Sequence, residues 1–230
     1  MNSETMLCQG ANALGLELGH QQIEKLLEFL ALLHKWNKVY NLTAVRQPQE
    51  MLTHHVLDSL AAVPPLRRQL TAIAKNTPRL LDVGAGGGLP GVVFAVCIPE
   101  LTVVCVDAVA KKAAFIRQVA ATLTLPQLQA VHARVETLRE PFDVVSCRAF
   151  AALADFTRWT RSCLAPHAVW LAMKGQAPQA EIQALDKDVE MFHMEPLWVP
   201  GLDAQRCIVW MRPVFCKSRV PFLGAVVTRF

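Results

Sequence analysis

Charged side chains are scarce in this sequence: Asp, Glu, Lys and Arg make up 18% of its 230 residues, against 53% apolar ones. So little charge excludes a disordered chain. At this length the apolar residues suffice for one sizeable core with a small appendage, not for two full domains. Long apolar runs are lacking as well. None approaches the roughly 18 residues that span a bilayer. The opening MNSETMLCQG has neither the basic nor the apolar stretch of a secretion signal. The expectation is a cytoplasmic protein with no membrane association. C-x-x-C is absent: Cys8, Cys97, Cys105, Cys147, Cys163, Cys207 and Cys216 are scattered, most of them inside apolar runs. Buried free thiols in a reducing compartment fit that pattern. His54 and His55 stand without H-E-x-x-H or a comparable ligand spacing, so no metal site is predicted. There is no internal repeat and no low-complexity segment. The net charge of +4 allows an anionic partner without demanding one.

What the chain does concentrate is glycine, in DVGAGGGLPG from Asp82 to Gly91. Leu80, Leu81 and Val83 form a short buried strand, and Gly84, Gly86, Gly87 and Gly88 follow at once. Without Cβ atoms the backbone can turn sharply and lie against a ligand. Leu89 to Ile98 is apolar and of helix length, with Pro90 tolerable only near the start. Thr102 to Val106 is a second valine-rich strand that Asp107 closes. In an open α/β sheet, ligands lie beyond the carboxyl ends of the strands where strand order reverses. This unit therefore predicts a nucleoside-bearing cofactor across the glycine turn, with its ribose hydroxyls on Asp107. A glycine turn without a ligand is the plainer alternative.

A dinucleotide fingerprint, G-x-G-x-x-G straight after the strand, fails in register because Leu89 stands where the third glycine belongs. Counted from Gly86 it succeeds only late and across Pro90. No Gly-Lys-Ser/Thr follows, so a P-loop is excluded. Asp82-x-Gly84-x-Gly86-x-Gly88 does fit in register. It resembles motif I of class I S-adenosylmethionine-dependent methyltransferases. A carboxylate near the turn suits that cofactor's ammonium and sulfonium and would repel a pyrophosphate.

The amino-terminal third reads helical. Ile23, Leu26, Leu27, Leu30 and Leu33 recur at three- and four-residue spacing within Gly19 to Tyr40. A further helix is predicted from Pro48, ended by Pro64-Pro65. The chain therefore divides into a helical cap over 1–70 and a Rossmann-like, doubly wound α/β domain over 71–230. The run Trp36 to Thr43 reads as a capped helix end packed on the main domain. With Lys35, Lys38 and Arg46 nearby, its aromatics would also suit stacking on RNA. After Asp107 come a helix over Lys111 to Leu123, a strand over Leu128 to Ala133 and a strand from Pro141 to Arg148. A helix holding Leu153, Phe156 and Trp159 follows, then a strand over His167 to Met173. An antiparallel pair around Glu190–Val199 and Arg206–Arg212 closes the sheet. Lys174 meets an RNA phosphate or simply ends its strand, and Arg134 and Arg206 are the other phosphate candidates.

The runs LHKWNKVYNLT (33–43), HHVLDSL (54–60), DVGAGGGLPG (82–91), Arg134-Val135-Glu136, SCRAF (146–150) and Lys174-Gly175-Gln176 together resemble the RsmG/GidB family of bacterial 16S ribosomal RNA guanine-N7 methyltransferases. The likeness covers about Ala31 to Trp210. It departs at Gly87, where the family often has proline, and nothing is carried over onto the tail after Trp210. The resemblance implies a class I methyltransferase fold and S-adenosylmethionine held by Asp82, Gly84, Gly86, Leu89, Asp107, Val135, Glu136 and Arg148. Val135-Glu136 would line the adenine pocket, and Arg148, if not a structural partner of Asp143, would touch the cofactor. The substrate implied is 16S rRNA or the small ribosomal subunit, and a monomer is favoured. Guanine N7 carries no proton, so orientation rather than a general base would suffice, and no catalytic residue is assigned beyond Arg148 as a positioning candidate. The rival chemistry is pyrimidine-C5 methylation with Cys147 as nucleophile. A non-catalytic RNA-binding or cofactor-sensing protein on the same fold is the rival of another class.

Overall fold

The computed structural model describes residues 2–214. Cys216 and most of the tail after Trp210 therefore lie outside the described residues. Five strands run parallel: β1 (Arg79–Val83), β2 (Thr102–Asp107), β3 (Leu128–His132), β4 (Phe142–Arg148) and β5 (Leu164–Lys174). They are joined by β6 (Val189–Pro196) and β7 (Cys207–Pro213) in the order β3-β2-β1-β4-β5-β7-β6, with β7 antiparallel to both its neighbours. Strand order reverses between β1 and β4, which opens a crevice at their carboxyl ends.

The inner strands are buried on both faces, which is why they read as continuous apolar runs rather than alternating ones. Leu80, Val103, Cys105 and Val144 enter one core cluster; Leu81, Val104, Val106, Val145 and Cys147 enter the other. Helix α7 (Ala110–Thr122) turns Phe115, Ile116 and Val119 into the first. The six cysteines among the described residues are free thiols.

The first cluster also takes in the amino-terminal helices α1 (Ser3–Ala13) and α2 (His20–Tyr40). Leu26, Phe29, Leu30 and Leu33 form the buried stripe of α2, and its Phe29 and Trp36 pack on Phe115 with ring centroids 6.4 and 5.4 Å apart. The end of α2 is capped by Asn41 in the left-handed region. Asn37 is buried there and fixes the following loop, donating to Val45 O (3.1 Å) and accepting from Thr43 N (2.9 Å). Trp36 thus belongs to the packing, while Val39 and Tyr40 stay exposed.

A helical run follows through α3 (Pro48–Met51), a π-helical segment (Leu52–Leu57) and α4 (Asp58–Leu60). Pro64-Pro65 do not end it: they lie in the first turn of α5 (Val63–Ile73), where a missing N–H has no helical partner to lose. Helix α5 carries the helical layer across residue 70. Cap side chains also serve α6 (Gly91–Cys97), the helix after the glycine turn. Gln22 Nε2 donates to Val96 O (3.0 Å) and Arg67 Nη2 to Cys97 O (2.8 Å), satisfying carbonyls its last turn leaves open.

Candidate active site

The floor of the site is the β1–α6 turn. Asp82, at the end of β1, is fully buried. Its Oδ2 accepts from Gly91 N (2.9 Å) and its Oδ1 from Ser146 Oγ (3.1 Å), tying the start of α6 and strand β4 to one carboxyl. Burial pushes that carboxyl up to about 7. Expected beside the cofactor's cations, Asp82 instead lies beneath the turn, because the turn and α6 close over it. Leu89 departs in the same way. It is 5% exposed, sits in the core and lines neither cavity described below.

Gly84 and Gly86 have φ of 64° and 57°, left-handed values that favour glycine. A Cβ on Gly84 would run into the Phe150 ring. The amides of Gly84, Ala85, Gly86, Gly88, Leu89 and Gly91 all donate within the protein, so the turn offers no nest of free N–H groups to a phosphate. Asp107, at the carboxyl end of β2, accepts from Gly86 N (3.0 Å) and Val109 N (2.8 Å), with Lys112 Nζ 3.8 Å away.

Above this floor opens a cavity of about 420 Å³. Gly84, Asp107, Arg134, Val135 and Glu136 line it, which brings together five residues the sequence had singled out. Val135 and Glu136 stand in a short 3-10 turn (Val135–Thr137) just past β3. Arg134, its side chain 78% exposed, reaches Glu136 at 3.6 Å on the rim. Among the lining residues that had not been singled out are Lys112, Phe150 and Trp159. Helix α8 (Leu153–Thr160) buries Leu153 and Phe156 but turns Trp159 outward, edge-on to Phe150 at 5.9 Å.

A second cavity, about 430 Å³, lies beyond the carboxyl ends of β4 and β5, and Ala149 lines both. Here the structure places Arg148, Lys174 and Arg206, beside His54, His55 and Asp58 from the cap. Arg148, expected at the cofactor, is drawn away by Asp58 Oδ2 (2.9 Å) and His54 O (3.1 Å). The alternative partner Asp143 pairs instead with Lys75 at 2.9 Å. Arg206 Nε donates to Asp58 Oδ1 (2.7 Å), and Lys174 Nζ to Glu181 Oε2 (2.8 Å) and Ala151 O (3.0 Å). Glu181 also accepts from Leu153 N, so Lys174 pins the start of α8 as well as facing the cavity. His55 is buried, its Nε2 2.7 Å from Thr43 Oγ1; burial, with the Arg148 charge, pushes it down to about 4.

Cys147 is 1% exposed and packs in the second core cluster, lining neither cavity. Burial pushes its thiol well above the ordinary range. A nucleophile for pyrimidine C5 has to be a thiolate in reach of the ring, so this side chain does not serve that chemistry.

A family model described as rRNA small subunit methyltransferase G (GidB) matches residues 22–209. A protein of Acidovorax sp. (strain JS42) named ribosomal RNA small subunit methyltransferase G is 69% identical over 216 residues, covering 92% of this chain and 96% of the relative. A protein of the same name from Paracidovorax citrulli is 63% identical, over 89% of this chain and 87% of its own. Among solved structures, TrmN from Thermus thermophilus superposes with a TM-score of 0.51 at 18% identity, over 70% of this chain and 53% of its own. The glycopeptide N-methyltransferase MtfA, complexed with sinefungin, gives 0.53 at 11% identity, over 66% of this chain and 86% of its own. At such identities these two likenesses speak for the class I methyltransferase fold.

Proposed function

The chain belongs to the rRNA small subunit methyltransferase G family, and on that premise we propose that it methylates N7 of one guanine in 16S ribosomal RNA. S-adenosylmethionine is the methyl donor, and it supplies an electrophilic methyl group on a sulfonium. The first cavity fits that cofactor: a glycine takes the place a Cβ would fill, and a carboxylate faces the cavity. Asp107 would take the ribose hydroxyls, while Val135 and Glu136 would read the adenine. Phe150 and Trp159 add aromatic surface. A pyrophosphate cofactor is disfavoured by the same geometry, since the amides of Gly84, Ala85, Gly86, Gly88, Leu89 and Gly91 are already engaged and two carboxyls flank the turn.

We assign the acceptor base to the second cavity. The observation that carries this is its junction with the first at Ala149, at the carboxyl end of β4. Guanine's exposed edge carries O6 and N7, both acceptors. Arg148 would donate to O6, leaving N7 open. No proton has to leave N7, so the protein's task is alignment. That suits a cavity in which His55 is held neutral at ordinary pH and already engaged by Thr43. Arg134, on the rim, with Lys174 and Arg206 would meet RNA phosphates. We further read the protein as a cytoplasmic monomer, with residues 1–70 as its cap. Among the described residues no helix is long and apolar enough to cross a membrane.

Transfer of a radiolabelled methyl group to 16S rRNA, with the modified nucleoside identified by mass spectrometry, tests the reading. The expected product is 7-methylguanosine at a single position. A methylated pyrimidine or an exocyclic methylamine would overturn it.

A further inference from the structure

We propose that Asp58 is the positioning residue of the acceptor site: one buried carboxylate on the cap that aims Arg148 and Arg206 at the keto oxygen of the target purine. The proposal rests on the second cavity being that site. Asp58 is 2% exposed, and each of its oxygens takes a different guanidinium. One comes from the end of β4 and one from just before β7, so three distant parts of the chain meet on a single group. Two half-buried guanidiniums beside one cavity repel each other; Asp58 offsets one charge and leaves the other for a ligand.

The bonds also fix which N–H groups remain. A guanidinium has five in a rigid fork. Arg148 spends Nη1 on Asp58 and His54 O, while Arg206 spends Nε on Asp58 and Nη1 on Gln205 O. No bond within the described residues takes the Nη2 group of either. A donor aimed at the six-position of a purine accepts a keto oxygen and rejects an amine, so this arrangement selects guanine over adenine. A second observation points the same way. His55, three residues before Asp58 and on the wall of the same cavity, has its Nδ1 buried without a partner. Holding the cap to the sheet does not require so much buried polarity, since apolar packing fastens elements at least as well.

The test is steady-state methyl transfer to 16S rRNA by Asp58→Asn, Asp58→Ala, Arg148→Met and the Asp58→Ala/Arg148→Met double variant. Calorimetric titration of S-adenosylmethionine and thermal unfolding run alongside. Asp58→Asn should lower kcat by about thirtyfold or more while cofactor affinity stays within about twofold. The double variant should lose clearly less than the product of the two single losses, because one of the two guanidiniums that Asp58 positions is already gone. Additive losses, or a fall in cofactor affinity matching the fall in rate, would mean a structural role and overturn the proposal. If Asp58→Ala does not fold, the isosteric Asn variant and Arg206→Met decide the same question. Gly175→Trp separates this proposal from its premise. Gly175 lines the cavity, and a Cβ there meets nothing within 4 Å, so a side chain can start there and the indole is expected to occupy the site, with unchanged thermal unfolding as the check that the walls are intact. Full activity in Gly175→Trp would remove the acceptor from this cavity, and the proposal with it. An inactive Gly175→Trp beside a fully active Asp58→Asn would overturn the positioning role alone.

Discussion

Gly84→Ala tests the cofactor floor most directly. The φ of 64° costs an L-residue about 1–2 kcal/mol. The new methyl group also meets the Phe150 ring, which cannot swing away freely. It stands edge-on to Phe156 at 6.4 Å and to Trp159 at 5.9 Å. Overpacking of this kind costs about 1–3 kcal/mol, so the two effects together come to roughly 2–5 kcal/mol. They part in the assay. Backbone strain is paid in the free protein and lowers the melting temperature. A displaced Phe150 intrudes on the first cavity and weakens S-adenosylmethionine, by tenfold for every 1.4 kcal/mol or so. Calorimetric titration should show a loss of at least about tenfold, with a lowered melting temperature. Gly86→Ala is the internal control. It shares the strain at φ 57°, but its nearest neighbour is a backbone oxygen 3.8 Å away, an ordinary contact. It should lose stability with a much smaller loss of affinity. Native stability and native affinity in Gly84→Ala would refute the placing of the cofactor against this turn.

Asp107→Ala removes acceptors for Gly86 N and Val109 N as well as for the ribose, and each charged hydrogen bond contributes about 1.5–3 kcal/mol; affinity for S-adenosylmethionine by calorimetry should fall by tenfold or more. Cys147→Ser should keep most of its turnover in the methyl-transfer assay while losing about 1–3 kcal/mol of stability for a buried hydroxyl, and abolished turnover in a folded variant would revive the thiolate mechanism. Asp82 holds its proton up to about 7 when folded, against 3.8 as the ordinary value, so the native state keeps a proton the unfolded chain has lost and stability falls as pH rises through that window. Asp82→Asn mimics the protonated form. Its stability relative to wild type, from denaturant titrations, should therefore improve by up to about 1.4 kcal/mol per pH unit between roughly pH 4 and 7, and a flat difference would sink the argument. His55 opposes it in part, since a histidine held neutral down to about 4 makes stability rise with pH below its ordinary value of 6.5. Arg134→Ala should reduce the salt dependence of RNA binding by about one unit of slope in filter binding. Lys174→Ala and Arg206→Ala should reduce it less, because Glu181 and Asp58 already offset those charges.

The glycine turn, Asp107 and Val135-Glu136 were legible because their chemistry is local: a strand end, an obligate turn and the residues that follow it. What escaped was set by partners far along the chain. Nothing near Arg148 announces that a carboxylate 90 positions earlier will claim it. Pro64-Pro65 read equally as a stop and as a start, and only the packing of α5 decides between them. Asp82 was recognised as part of a motif, but its depth follows from α6 closing over it, and α6 is held down by cap side chains, Gln22 and Arg67, that no local pattern reveals. Trp159 shows another limit. Its spacing suits the core, yet it sits on the wall of the crevice, and spacing alone does not tell a wall from a core.

The place of β7 in the sheet bears on how the enzyme comes into being. It is the last strand among the described residues, yet it lies between β5 and β6 rather than at the edge. While the polypeptide is still emerging from the ribosome, β6 has no strand to join and must wait beside a gap. The lining of the first cavity is complete once Trp159 has been made, whereas the second needs Arg206. On the proposed assignment of the two cavities, a nascent chain would acquire the means to hold its methyl donor well before the means to receive a base. The insertion of one late strand would then complete the sheet and the proposed acceptor site together.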